Sequence, residues 1–340
     1  MRHVNIPVFI PHLGCPNQCV FCNQRTISGV KSFDSLPVVK TIDDALSTVD
    51  KEDFTEIAFF GGSFTGIDRA LMTELLEIAY SYVKAGRVKS VRCSTRPDYI
   101  DEEIISILKK YSVNVVELGL QSTSDKVLSL TKRNHTFDDE ERACRLITEA
   151  GIELVGQMMI GLPGSTLSDE IKTAEFIINS GASGARVYPT VVFRDTELCS
   201  MAMSGDYIPL SLEDAVRRSA EVVKLFRLSG LRVIRIGLQA SEGLSSSDTY
   251  FAGPNHPSLG ELVENKIYLD KITAELEKHT LSSDTKVYIT VPSGDLSKAL
   301  GQKKHNKNYL MERFNLKDML FSTDESLGFG EMTVKVRKDI

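Results

Sequence analysis

Leu154-Val155-Gly156-Gln157-Met158-Met159-Ile160, then Gly161-Leu162-Pro163-Gly164, then the stretch Leu167–Asn179, decide the fold class. The first run is β-rich and the Gly/Pro cluster is a turn. Leu167–Asn179 carries apolar residues at helical spacing. Gly181 stops that helix, and Ala185–Val192 starts another β-rich run. A strand, a helix and a second strand in that order require a right-handed crossover between parallel strands.

The same unit recurs outward in both directions. Further strands are expected at Val4–Ile10, Glu56–Phe60, Ser90–Ser94, Asn114–Leu120 and Leu231–Leu238. Helices are expected at Ile42–Val49, Arg69–Lys84, Asp101–Tyr111, Phe137–Ala150 and Ser211–Leu228. Asp101 is placed to cap a helix, and Gly86, Gly151 and Gly230 follow last turns. The fold class is α/β, a partial or full (β/α) barrel over residues 1–240 with functional residues at the C-terminal strand ends. After Gln239 the rhythm breaks in the polar stretch Ser241–Asp248. Residues 241–340 read as a smaller C-terminal α/β domain covering the barrel mouth. It is expected to hold helices near Leu262–Glu277 and Leu296–Leu300 and strands at Lys286–Val291 and Met332–Val336.

A chain of 340 residues with 42% hydrophobic and 25% charged residues is too apolar for general disorder. Its net charge of −6 argues against a broad, sequence-independent grip on nucleic acid. No segment approaches the roughly 18 uninterrupted apolar residues of a membrane span. The start, Met1-Arg2-His3-Val4-Asn5-Ile6-Pro7, has no apolar signal core. A cytoplasmic protein is expected, with cysteines used for metal rather than for bridges.

Three of the six cysteines fall within eight residues, in Gly14-Cys15-Pro16-Asn17-Gln18-Cys19-Val20-Phe21-Cys22 just past the first strand. Thiolates ligate iron–sulfur clusters, and a four-iron cluster normally takes four of them. Three leave one iron open to bind something else. Structural zinc, the alternative, wants four ligands, and only His3 or His12 stands near enough in sequence to complete the set. Cys93, Cys144 and Cys199 have no such spacing.

On this C-x3-C-x2-C spacing the chain resembles the radical S-adenosylmethionine (SAM) superfamily. The resemblance implies a [4Fe-4S] cluster held by Cys15, Cys19 and Cys22, whose open iron chelates the methionine end of SAM. It also implies reductive cleavage to methionine and a 5′-deoxyadenosyl radical, fed by an electron donor such as flavodoxin or ferredoxin. Phe59-Phe60-Gly61-Gly62-Ser63-Phe64-Thr65-Gly66 resembles the glycine pair that holds the methionine ammonium, with Ser63 where many members carry an acid. The resemblance also places Phe21 at the cofactor; Ser94, Arg96, Glu117, Gln121, Arg133 and Gln157 look like further contacts, Arg suiting a carboxylate and the other polar residues a ribose. Each could instead be a buried polar residue satisfying loop backbone. Asn134 stands where relatives often have glycine and is suited to a left-handed backbone.

The series is similar to the branch containing the Elongator catalytic subunit and oxygen-independent coproporphyrinogen oxidase. His12-Leu13-Gly14-Cys15-Pro16 and Ser94-Thr95-Arg96-Pro97-Asp98 are nearest the Elongator side. No acetyl-coenzyme-A signature follows residue 260, so acetyl transfer is not expected. The substrate is less legible. Arg186, Tyr188, Arg235, Gln239, His256 and Glu261 are the polar residues expected near the barrel mouth, against the alternatives of core packing, structural ion pairs and loop holding. A radical enzyme acting on a small molecule is expected. Resemblance suggests queuine lyase, which cleaves a free deazaguanine base, with Glu117 or Glu261 of the type that reads a guanine-like edge. A tRNA-modifying enzyme is the alternative, with Gln302-Lys303-Lys304-His305-Asn306-Lys307 as a phosphate-contacting run. A non-catalytic iron–sulfur sensor is the third.

Overall fold

The structure, a computed structural model, describes residues 2–10, 13–15, 19–23, 37–50, 52–238, 246 and 248–338. Its elements run β1 (His3–Ile10), α1 (Val38–Leu46), β2 (Phe54–Gly61), α2 (Arg69–Lys84), β3 (Ser90–Thr95), α3 (Glu102–Lys110) and β4 (Val113–Gln121). Then come α4 (Asp125–Leu130), α5 (Phe137–Glu149), β5 (Glu153–Ile160), α6 (Leu167–Asn179), β6 (Gly184–Pro189), β7 (Val192–Phe193), α7 (Glu197–Ser204), α8 (Leu212–Leu228), β8 (Arg232–Ile236) and β9 (Tyr250–Ala252). The remainder is α9 (Leu259–Leu276), β10 (Thr285–Val291), α10 (Leu296–Leu300), α11 (His305–Arg313), β11 (Asp318–Thr323) and β12 (Thr333–Lys338).

The chain divides into two compact units, Met1–Ser211 with Leu225–Asn255, and Leu212–Lys224 with His256–Ile340. In the first, seven parallel strands lie in the order β1-β2-β3-β4-β5-β6-β8. No ladder joins β1 to β8 among the described residues, so the sheet is a half-barrel rather than a closed one. Every step from β1 to β6 joins sequence neighbours, as repeated right-handed β–α units require. The outer face is sealed by helices. Gly156 on β5 is one such seal, because a Cβ there would meet the Ile177 side chain of α6 at 2.8 Å.

Local signals act where the chemistry predicts. Asp101 Oδ1 accepts the Ile104 N–H at 2.7 Å at the start of α3. Thr136 and Thr166 close reciprocal caps with Asp139 and Asp169. Gly151 ends α5 at φ +73°, a conformation that costs a residue with a Cβ. The expected strand Ala185–Val192 divides instead. Thr190 donates both its N–H and its hydroxyl to the Ile160 carbonyl, each at 2.8 Å, so the chain leaves the ladder after Pro189. Val192–Phe193 then pairs antiparallel with β9.

The second unit holds a three-stranded sheet, β11-β10-β12, with β11 parallel and β12 antiparallel to β10. Tyr268, Ile272 and Leu276 of α9 pack on Val287, Ile289 and Val291 of β10. Gln239 and most of Ser241–Asp248 lie outside the described residues.

Candidate functional site

The C-terminal ends of β1 to β5 converge on one cavity. Cys15, Cys19, Phe21, Cys22, Gly61, Gly62, Ser63, Ser94, Arg96, Gln121, Arg133 and Gln157 all line it, joined by Thr95 and Gly119. Residues spread over more than 140 positions of sequence meet there because each β–α unit returns its strand end to the same rim.

The loop carrying the cysteines is anchored at its centre. The Val20 N–H donates to the Thr131 carbonyl at 3.2 Å, and the Val20 carbonyl accepts the Leu198 N–H at 2.8 Å. The Val20 side chain is buried against Val192, Leu198, Cys199 and Tyr207. Cys22 N–H closes a turn onto the Cys19 carbonyl at 3.0 Å. All three cysteines are free thiols.

The Gly61-Gly62 pair owes its identity to packing between loops. Gly62 N–H donates to the Ile10 carbonyl at 2.8 Å, and a Cβ on Gly62 would stand 2.1 Å from the Leu13 carbonyl oxygen. Gly14, at φ +71°, meets the same constraint from the other side, its Cβ position 2.1 Å from the Ser63 carbonyl oxygen. Phe59 and Phe64 stack at 4.4 Å across the turn and fix its ends. A chain of hydroxyls lies beneath it. Ser63 Oγ is 2.8 Å and Thr65 Oγ1 2.5 Å from Thr95 Oγ1, and Thr65 donates to the Tyr99 carbonyl at 2.8 Å. Ser63, at the position where many members of the resembled superfamily carry an acid, is therefore buried and internally satisfied, also accepting the Arg96 N–H at 3.2 Å.

Two guanidinium groups face the cysteines. Arg133 Nη1 lies 3.7 Å and Arg96 Nη1 3.9 Å from Cys19 Sγ. Arg96 forks onto Asp98 at 2.8 and 2.9 Å and donates to the Arg133 carbonyl. Arg133 donates to the Gly119 carbonyl. Behind them His135 and Glu140 form a fully buried pair, Nε2 to Oε1 at 3.0 Å. Burial, reinforced by Arg133 and Arg96, pushes the His135 imidazole down to about 3, and burial pushes the Glu140 carboxyl well up. Asn134 has φ +56°, the left-handed backbone expected of it.

Gln121 also has a positive φ, +73°, and the β4–β5 register slips between Gly119 and Gln121. The bulge turns Gln121 into the cavity. Its Oε1, like Arg133 Nε, is buried without a hydrogen-bond partner among the described residues. A buried acceptor and a buried charged donor left open in one cavity fit a ligand that supplies the complementary groups.

Glu117 does not line this cavity. Its Oε1 accepts from Arg92 at 2.8 Å and Arg186 at 2.9 Å, and its Oε2 from Gln157 at 3.0 Å, with Arg186 Nε 2.7 Å away. Arg92 also grips Glu56 at 2.9 Å through Nε, and Glu56 in turn holds His3 at 2.6 Å. The expected reader of a ribose or a guanine edge is thus a buried structural acid. His3 lies at the N-terminal end of β1, engaged with Glu56, and supplies no fourth ligand to the cysteines; His12 is outside the described residues. Among the described residues no three His, Cys, Asp or Glu side chains have single-ion geometry.

Of the expected substrate contacts, Tyr188 and Arg186 lie together on β6 and Arg235 pairs with Arg186 across the β6–β8 ladder. His256 and Glu261 belong to the second unit, where His256 Nδ1 accepts the Ser258 N–H at 3.1 Å and Glu261 sits in the first turn of α9. Sequence reasoning misses Thr95 and Gly119; the available signal is their place at a strand end, Thr95 between Ser94 and Arg96 and Gly119 between Glu117 and Gln121.

Residues 9–177 match the model of the radical SAM superfamily, and residues 182–268 that of the radical SAM C-terminal domain. An uncharacterized protein of Methanocaldococcus jannaschii, MJ0486, is 29% identical over 214 residues, covering 59% of this chain and 65% of its own. Elongator complex protein 3 of Homo sapiens is 30% identical over 188 residues, 54% of this chain and 33% of its own. The chain thus spans less than two thirds of either relative. The archaeal Methanocaldococcus infernus Elp3 superposes with a TM-score of 0.63 at 20% identity, over 80% of this chain and 63% of that one, which is a likeness of fold. Members of the matched family use a [4Fe-4S] cluster and SAM. Matched along both its half-barrel and the segment that follows, the chain belongs to the radical SAM superfamily.

Proposed function

We propose that this protein is a radical SAM enzyme acting on a small molecule, with Cys15, Cys19 and Cys22 as its three iron ligands. The observation carrying this reading is the single cavity that gathers the three cysteines with Gly62, Gln121 and Arg133. When bound, the cluster and SAM supply reductive cleavage of the sulfonium and a 5′-deoxyadenosyl radical for hydrogen abstraction. The protein's part is orientation, charge and exclusion of water. Arg133 would present its open Nε edge to the carboxylate of SAM, and Gln121 its open Oε1 to a ribose hydroxyl or ammonium. Arg96 is locked by Asp98 and holds positive charge at Cys19. Phe21, half-buried beside Cys22, would give an apolar wall.

Queuine as the substrate loses one of the two acids offered for it, since Glu117 is consumed by Arg92, Arg186 and Gln157. A tRNA substrate is the second reading. It is favoured by relatives named tRNA uridine(34) acetyltransferase, one of them 29% identical over 157 residues. Lys303 and Lys304, both exposed, would be its phosphate contacts. Anaerobic incubation of reconstituted protein with SAM and dithionite tests the enzymatic reading. Formation of 5′-deoxyadenosine supports it, and an intact cluster that forms none favours a sensor. RNA affinity that falls steeply with salt would favour the tRNA reading over the small molecule.

A further inference from the structure

The interior of the half-barrel carries more positive than negative side chains, and the surplus has an address. Glu56 and Glu117 are matched by Arg92 and Arg186, which bind them at 2.6 to 2.9 Å. Arg235 is the ladder partner of Arg186, so the two arginine Cα atoms stand opposite each other. Paired residues on neighbouring strands share a face of the sheet. Like charges opposed in this way are unfavourable unless counter-charged, and Glu117 is already shared by Arg92 and Arg186. Arg235 makes no hydrogen bond or ion pair among the described residues, and its charge acts on the half-buried Tyr188. An arginine kept half-buried with no acid among the described residues is poorly compensated. It is the group a planar or tetrahedral oxyanion would satisfy bidentately.

We propose that Arg235, with the Tyr188 hydroxyl, docks an oxyanion, a phosphate or a carboxylate, carried by the small-molecule substrate. This rests on the radical SAM reading and narrows it. The substrate is anionic, and Arg186 is held back by Glu117 so that one guanidinium, not two, meets it. Queuine carries no such group. Tyr188 supplies a donor beside the charge, and Gln157, the ladder partner of Arg186, donates to Ser94 at 3.3 Å, both lining the cysteine cavity.

The test uses reconstituted holoprotein saturated with SAM, so that added anions do not enter the cofactor cavity. Inorganic phosphate and acetate are titrated separately and followed by NMR of the anion. Binding of at least one is expected, weakened about tenfold or more by Arg235→Gln and less by Arg235→Lys. Should Arg235→Gln fail to fold, Tyr188→Phe reads the same site with an expected loss of about threefold. Phosphate preferred over acetate identifies a phosphorylated substrate, and the reverse a carboxylate. Binding of neither anion, or equal binding by wild type and both variants, overturns the proposal. Failure of the radical reading shows separately, as absence of 5′-deoxyadenosine from the wild type.

Discussion

Arg133 Nη1 lies 3.7 Å from Cys19 Sγ. A guanidinium donating toward a ligand sulfur draws electron density from it, and such hydrogen bonds set cluster potentials. Arg133→Met is expected to make the cluster harder to reduce and to weaken SAM binding about tenfold. Potentiometric EPR and equilibrium binding check the two effects. Unchanged values for both would show that Arg133 only braces the Gly119 carbonyl.

Glu117 serves Arg92, Arg186 and Gln157 at once, buried to 1% exposure. Removing one partner from a buried ion network strands the others. Glu117→Ala is expected to destabilise the protein by about 3 kcal/mol in denaturant unfolding. A stable variant with impaired SAM binding would instead make Glu117 a cofactor contact.

His135 stays neutral in the folded protein, its imidazole pushed down to about 3 by burial. Between that value and its ordinary one near 6.5 the unfolded chain binds a proton that the folded chain does not. Its contribution is therefore full above about pH 6.5 and shrinks as pH falls. From pH 6.5 to 4 the wild type should lose up to about 3 kcal/mol more stability than His135→Asn. Parallel pH profiles of the two would contradict the buried neutral state.

Gly62→Ala places a methyl 2.1 Å from the Leu13 carbonyl oxygen, a backbone atom that cannot rotate away. The loop before the cysteines must then shift. A loss of roughly 2 kcal/mol in stability is expected, with lower iron incorporation on reconstitution. Wild-type iron content in this variant would refute the packing argument.

The β–α alternation was legible because strand runs such as Leu154–Ile160 and helix runs such as Leu167–Asn179 differ in period and are punctuated by glycine. The cysteine triplet was legible from spacing alone. Elements with weak periodicity were not. Helix His305–Arg313 is mostly polar, and it follows Lys303 and Lys304, both left-handed at φ +51° and +62°. Strand Asp318–Thr323 has five of its six residues partly or fully exposed around one buried methionine. Glu117 shows the limit at the site. A strand-end acid reads alike whether it faces a ligand or three side chains from other strands, because those partners are 25, 40 and 69 residues away.

Cys15, Cys19 and Cys22 would each bind one iron of a four-iron cluster and leave the fourth iron open to SAM. Anaerobic reconstitution with iron and sulfide, followed by iron analysis and EPR of the reduced protein with and without SAM, tests it directly. The expected result is about four irons per chain, a signal that changes when SAM is added, and loss of both in Cys19→Ala. A metal fully ligated by the protein, with a spectrum indifferent to SAM, would contradict it.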